Sequence, residues 1–187
     1  MISIVIPTIK GREHYLERCL VSYALTTEDY ETIILHDRPT CSMAWNEGMA
    51  EVKGEFVQFS ADDIEPHPGW WQAAIDTAQH GKIPCADLVD PAGNLTHCGD
   101  GEVALPDGQQ TTIARVPFMP SGLARVICPV MENQYMSDYW ISWRAAQLGW
   151  PTVVVRAYLF THHHALEGRL YTLDQDAADY YRIISGD

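Results

Sequence analysis

Two stretches of this chain concentrate side chains able to do chemistry. Asp62-Asp63 follows an apolar run at residues 55–60, and adjacent carboxylates in a loop can hold a hard divalent cation while leaving positions open for phosphate oxygens. Paired aspartates are also ordinary turn residues, so the pair alone decides nothing. His162-His163-His164 ends a later apolar run, and neutral imidazole suits manganese and other first-row metals. Strand side chains alternate, so His162 and His164 share one face while His163 points away, and at most two of the three can readily serve one ion. A third candidate is Asp138, at the start of an amphipathic stretch. The helix dipole there lowers a carboxyl's pKa, whereas action as a general base requires it to take a proton from an attacking hydroxyl.

These groups must be positioned by a scaffold, and the apolar pattern suggests one. Residues 2–6 form a β-branched run ended by Pro7, the pattern of a strand covered on both faces of a mostly parallel sheet. Residues 12–24 carry apolar side chains at helical spacing. A second run at 32–35, a helix over 42–52 closed by Gly54, and a third strand at 55–60 complete a Rossmann-like half, in which ligands gather where strands end. Both carboxylates follow that third strand. A helix is expected over 70–79, hairpins over 87–110 around Pro91-Ala92-Gly93-Asn94 and Pro106-Asp107-Gly108, a helix over 137–148 capped by Ser137, a strand over 152–160, and a short helix over 174–184. An aspartate loop and a histidine strand that both end at one sheet edge would meet there.

The 187 residues suit one domain, 1–187, with a nucleotide-binding half at 1–80 and an acceptor-side half at 81–187. No apolar run is long enough for a membrane span, and the first residues lack the pattern of a signal peptide, so a cytoplasmic protein is expected. Five scattered cysteines without a C-x-x-C pair argue against a disulfide framework or zinc ribbon and for packing thiols. The net charge of −13 and the absence of a visible basic patch count against extended nucleic-acid contact. Such an acidic chain can still bind a diphosphate if a divalent cation lies between carboxylates and phosphates. There is no G-x-S-x-G, P-loop or G-x-G-x-x-G motif.

Taken in order, the segments resemble the family-2 glycosyltransferases, inverting enzymes of the GT-A fold. Ser3-Ile4-Val5-Ile6-Pro7-Thr8 and Tyr15-Leu16-Glu17-Arg18-Cys19-Leu20 are similar to that family's first strand and helix, and Trp45-Asn46-Glu47-Gly48 with Lys53-Gly54-Glu55-Phe56 to its second helix and third strand. Asp62-Asp63 followed by Pro68-Gly69-Trp70 resembles the D-x-D metal segment, and Ser137-Asp138 with Arg144 the late E-D segment. The first acid of D-x-D is Ala61 or Ser60 here, the Glu of E-D is Ser137, and Trp45 stands where Arg is frequent. The resemblance implies an α/β Rossmann-like GT-A domain with a mostly parallel central sheet, helices on both faces and a small antiparallel part. It further implies that Pro7, Thr8 and Asp37 bracket the nucleoside, most often uridine. Asp63, with Asp62 beside it, would hold Mn2+ or Mg2+ on the diphosphate of a nucleotide-sugar donor, with His162 or His164 completing the site. Asp138 would deprotonate an acceptor hydroxyl in one in-line displacement that inverts the anomeric centre. The acceptor is not readable from sequence; its pocket is expected from residues 87–125. Two rival readings are a nucleotidyltransferase, for which Ile9-Lys10-Gly11-Arg12 would be a weak triphosphate loop, and an inactive nucleotide- or sugar-binding module. Trp70, Trp71, Trp140 and Trp143 are read as packing residues ahead of sugar platforms.

Overall fold

The β-branched N-terminal run becomes β1 (Ile2–Thr8), buried along its whole length. The structure, a computed structural model, describes residues 1–97, 102–104, 110–129, 137–163 and Arg182. Pro7 does not end β1. The strand pairs in parallel with β2 (Tyr30–His36) as far as Thr8↔His36, whereas its pairing with β3 (Phe56–Phe59) stops at Val5↔Phe59. The Val5 carbonyl accepts from Ser60 N on the β3 side and the Thr8 carbonyl from Asp37 N on the β2 side. By strand alternation the missing N–H of Pro7 would point to the side where pairing has already ended, so no ladder bond is lost.

Helix α1 (Glu13–Thr26) links β1 to β2, and α2 (Cys41–Gly48) follows with Thr40 Oγ1 accepting from Met43 N as its cap. Expected through residue 52, α2 instead ends at Gly48. Gly54 serves a different purpose from a helix stop: its N–H donates to Ser3 Oγ at 2.8 Å, and a Cβ there would lie 2.7 Å from Ser3 N. Gly48 is equally constrained, since a Cβ would meet Val5 Cγ1 at 2.5 Å; its absence lets α2 lie directly on β1.

After β3 come β4 (Ile64–Pro66), α3 (Trp70–Gln79), β5 (Ile83–Val89), β6 (Leu95–His97), β7 (Glu102–Ala104), β8 (Gln110–Thr112) and β9 (Phe118–Pro120). Then follow α4 (Ser121–Ile127), α5 (Ser137–Gln147) and β10 (Thr152–His162). One four-stranded sheet has the order β2-β1-β3-β9, parallel except for β9. The other has the order β4-β10-β5-β6, in which β10 and β5 are parallel and the outer strands antiparallel. A two-stranded ladder joins β7 to β8. This is the α/β class expected; the division of the strands between two sheets is not visible in periodicity.

Alternation along β1 feeds two cores. Ile2, Ile4 and Ile6 pack with Cys19 and Tyr23 of α1 and with Trp70 and Ala74 of α3. Val5 faces the other way, toward Ala44 and Trp45 of α2, Ala124 and Ile127 of α4, and Ile141 and Ala145 of α5. Helices therefore cover both faces. Trp70 is wholly buried and donates Nε1 to Thr27 Oγ1 at 3.0 Å, a core residue as expected. The hairpin between β5 and β6 turns at Asp90, whose Oδ1 accepts from Ala92 N and Asn94 N. The turn expected at Pro106-Asp107-Gly108 lies outside the described residues, as does the tail segment 174–184 apart from Arg182. Among the described residues no helix is long and apolar enough to cross a membrane.

Candidate active site

Because β1 and β3 are parallel neighbours, the segments leaving them emerge at the same sheet edge. The segment after β3 is tied down at Ser60. Its carbonyl accepts from Trp45 Nε1 at 3.0 Å, and its hydroxyl bonds with Tyr23 Oη at 2.8 Å. Asp62 and Asp63 follow after Ala61, both buried. Asp62 Oδ2 accepts from Thr8 Oγ1 at 2.7 Å, and its Oδ1 stands 2.7 Å from Arg12 Nη2. The same Arg12 nitrogen is 3.1 Å from Asp63 Oδ2. Burial pushes the Asp62 carboxyl up to about 6, against the lowering pull of Thr8 and Arg12.

Antiparallel pairing of β10 with β4, in the register His162↔Ile64, carries the histidine strand to this loop. His162 Nε2 lies 3.5 Å from Asp63 Oδ2, and His163 N donates to the Asp63 carbonyl at 2.9 Å. His163 points to the other face, as alternation requires. Its Nε2 is 2.7 Å from Glu65 Oε1, which also pairs with Arg18 Nε at 2.8 Å. His164 lies outside the described residues.

Asp138 sits in the first turn of α5. Its Oδ2 is 3.5 Å from Arg115 Nη1, and its Oδ1 accepts from Tyr139 N at 3.0 Å. Ser137, expected as the helix cap, is helical and is the first described residue of α5. The expected lowering of the Asp138 pKa is corrected by the structure: burial raises it, outweighing the opposing pull of Arg115. A dipole argument suits an exposed helix end, whereas this one faces the interior of a cavity.

One cavity of about 320 Å³ is lined by Pro7, Thr8, Asp62, Asp63, Asp138 and His162 together. The aspartate loop, the histidine strand and the α5 acid thus converge. Asp37 is not among the lining residues. Its exposed carboxylate accepts from Lys10 N at 2.9 Å and braces the loop between β1 and α1. Leu88, Arg115, Val116 and Pro117, from the stretch expected on the acceptor side, form part of the wall.

Sequence reading misses most of the basic side of this cavity, naming only Arg12, in the weak Ile9-Lys10-Gly11-Arg12 loop. Arg12, Arg38 and Arg115 all line the cavity, although no basic patch is visible along the chain. They come from three separate loops, so only the fold assembles them. Trp45, which in the sequence is only a departure from a frequent Arg, also lines the cavity and stacks on Phe59 with centroids 5.3 Å apart.

Among the described residues no three His, Cys, Asp or Glu side chains form a cluster able to hold a metal ion. A carboxylate oxygen and an imidazole nitrogen facing each other at 3.5 Å fit a cation whose remaining ligands are phosphate and water oxygens, as is common for Mg2+ and Mn2+ in phosphate sites.

No family model matches this sequence, and no curated protein matches it. Among solved structures, S. aureus TarS is similar at 13% identity and a TM-score of 0.69, over 98% of this chain and 39% of that one. S. aureus TarS 1-349 in complex with UDP is similar at 14% identity and a TM-score of 0.70, over 98% of this chain and 64% of that one. The same segment in complex with UDP-GlcNAc gives 14% identity and a TM-score of 0.72, over 98% of this chain and 65% of that one. This chain therefore spans less than two thirds of each of these structures, and the likeness at such identities is one of fold.

Proposed function

We propose that this chain is an inverting glycosyltransferase that moves a sugar from a nucleoside-diphosphate sugar, a UDP-sugar by preference, to an acceptor hydroxyl. The observation that carries the reading is the cavity uniting Thr8, Asp62, Asp63 and His162 with Asp138. A fold similar to that of a protein solved with UDP and with UDP-GlcNAc supports it.

Asp138 acts as the general base. Its carboxylate takes the proton of the acceptor hydroxyl as that oxygen bonds to the anomeric carbon, while the bond from that carbon to the diphosphate breaks and its electron pair leaves with the nucleoside diphosphate. Burial makes this carboxylate a stronger base than an exposed one, and Arg115, 3.5 Å away, pulls in the opposite direction. Pro7 and Thr8 flank the nucleoside side of the cavity, and Asp37 fixes the adjoining loop through Lys10 N. Mn2+ or Mg2+ held by Asp63 and His162 would supply counter-charge to the leaving diphosphate. Thr8 and Ser60 hold the carboxylate loop in place.

A nucleotidyltransferase reading keeps one observation in its favour, Arg12 beside the carboxylates at the start of α1. It is distinguished by release of pyrophosphate.

The test is a thermal-shift series with nucleoside diphosphates, each with and without Mn2+, followed by UDP release from UDP-sugars. Stabilisation by UDP that depends on metal is expected, because a ligand that binds only the folded state raises its melting temperature. If no nucleoside diphosphate stabilises the protein under either condition, the reading is wrong.

A further inference from the structure

Arg12 has a place in the cavity that the proposed reaction does not yet use. Its Nη2 bridges Asp62 Oδ1 at 2.7 Å and Asp63 Oδ2 at 3.1 Å, so one guanidinium neutralises two buried carboxylates. The side chain is only 14% exposed and lines the cavity. Its Cζ lies over the Tyr15 ring, 5.7 Å from the centroid, a cation–π contact that supports the charge. Buried Nε has no hydrogen-bond partner among the described residues. A guanidinium carries its N–H groups in a fixed fork that suits phosphate oxygens, and it keeps its charge at any working pH. Arg12 therefore retains donor capacity at the place where a diphosphate would lie.

The charge pattern sets a conflict. Asp63 Oδ2 faces Arg12 Nη2 at 3.1 Å and His162 Nε2 at 3.5 Å. A divalent cation between Asp63 and His162 would share that oxygen with the guanidinium, crowding like charges onto one ligand atom. An incoming diphosphate brings negative charge that resolves the conflict by giving the guanidinium a new partner.

Resting on the reading of this cavity as a nucleoside-diphosphate site, we propose that Arg12 is a donor-binding residue held in reserve. Before the donor binds, it occupies the aspartate pair and competes with a divalent cation; when the diphosphate arrives it transfers to a phosphate oxygen. The competition makes cation and diphosphate binding interdependent, with Arg12 as the link.

The experiment measures two affinities separately by calorimetry, Mn2+ alone and UDP in saturating Mn2+, for the wild type and Arg12→Gln. Loss of Arg12 is expected to tighten Mn2+ binding several-fold and to weaken UDP binding about tenfold or more, the size of a lost charge-assisted bond. Opposite movement is the signature, since a residue that merely held the loop together would weaken both. Arg12→Lys, which keeps the charge but not the fork, should fall between wild type and Arg12→Gln for UDP. If Arg12→Gln does not fold, Asp62→Asn/Arg12→Gln removes one acid with the cation and is compared with Asp62→Asn. An unchanged affinity for either ligand in the Arg12 variant overturns the role of Arg12 and leaves the donor-site reading standing. Failure of the wild type itself to bind UDP overturns both.

Discussion

His162 Nε2 and Asp63 Oδ2 stand 3.5 Å apart at the cavity, while His163, one residue further on, is turned away to Glu65 at 2.7 Å. This split between adjacent histidines gives a paired test of the cation site. His162→Ala should lower Mn2+ affinity about tenfold or more, whereas His163→Ala should leave it within about twofold. Titration of each variant with Mn2+, and removal of the metal with a chelator before the UDP thermal shift, check this. Equal losses in the two variants would place the ligand elsewhere.

Asp138→Asn should reduce kcat about 100-fold or more while UDP affinity stays within about twofold, because the amide cannot accept the acceptor's proton. Steady-state kinetics beside UDP titration separate the two effects. A variant that keeps wild-type kcat would remove Asp138 from the reaction.

Arg115 opposes the upward push of burial on Asp138. Replacing it by Met lets the carboxyl hold its proton to higher pH, so the acid limb of the kcat/KM profile should move upward while UDP affinity changes little. A limb that stays in place would show that Arg115 does not act through Asp138.

Asp62 provides a stability test. Its carboxyl is raised from 3.8 to about 6 by burial, so the fold favours the protonated form. The stability that this proton confers is complete below about pH 4 and is lost as pH rises through about 6. Asp62→Asn removes the dependence. The stability of the variant relative to wild type should therefore rise by about 2 kcal/mol between pH 4 and pH 7, since each tenfold difference in proton affinity between folded and unfolded chains is worth about 1.4 kcal/mol and the unfolded carboxyl is already partly ionised at pH 4. Urea unfolding across that range measures it, and a gap that does not vary with pH would contradict the burial account.

Gly48→Ala should lower stability by about 1 to 2 kcal/mol, since overlap with Val5 Cγ1 outweighs the gain in helix propensity. Adding Val5→Ala relieves the overlap, so the double variant should be more stable than the two single losses predict. Urea unfolding of the two single variants and the double checks this.

How much of the fold is legible in the sequence depends on how local each signal is. The strands around Ile4, Ile33 and Val57 and the helix at 70–79 carry enough residues for their periodicity to show, and α3 spans Trp70–Gln79 as expected. Three-residue β4 and β9 are too short to show a period, and only their ladders to β10 and β3 reveal them. Pro7 reads as a strand end along the chain because its harmlessness depends on where β3 stops pairing. Asp62, Asp63, His162 and Asp138 stand out by residue type and by position at element ends. Arg38 and Arg115 do not, and Arg12 shows only as the end of the weak Ile9-Lys10-Gly11-Arg12 loop, since a charge shared among three loops has no joint signature along the chain. The Asp138 pKa escapes the sequence for a related reason: burial is a tertiary property.

Ser60 connects the site to both layers of the molecule, through its carbonyl to Trp45 on one side and its hydroxyl to Tyr23 on the other. The carboxylate loop thus behaves as a keystone between two packed halves rather than as a free surface turn. Repacking either half, even at α1 or α2 well away from the ligand, should therefore be felt as a change in donor affinity.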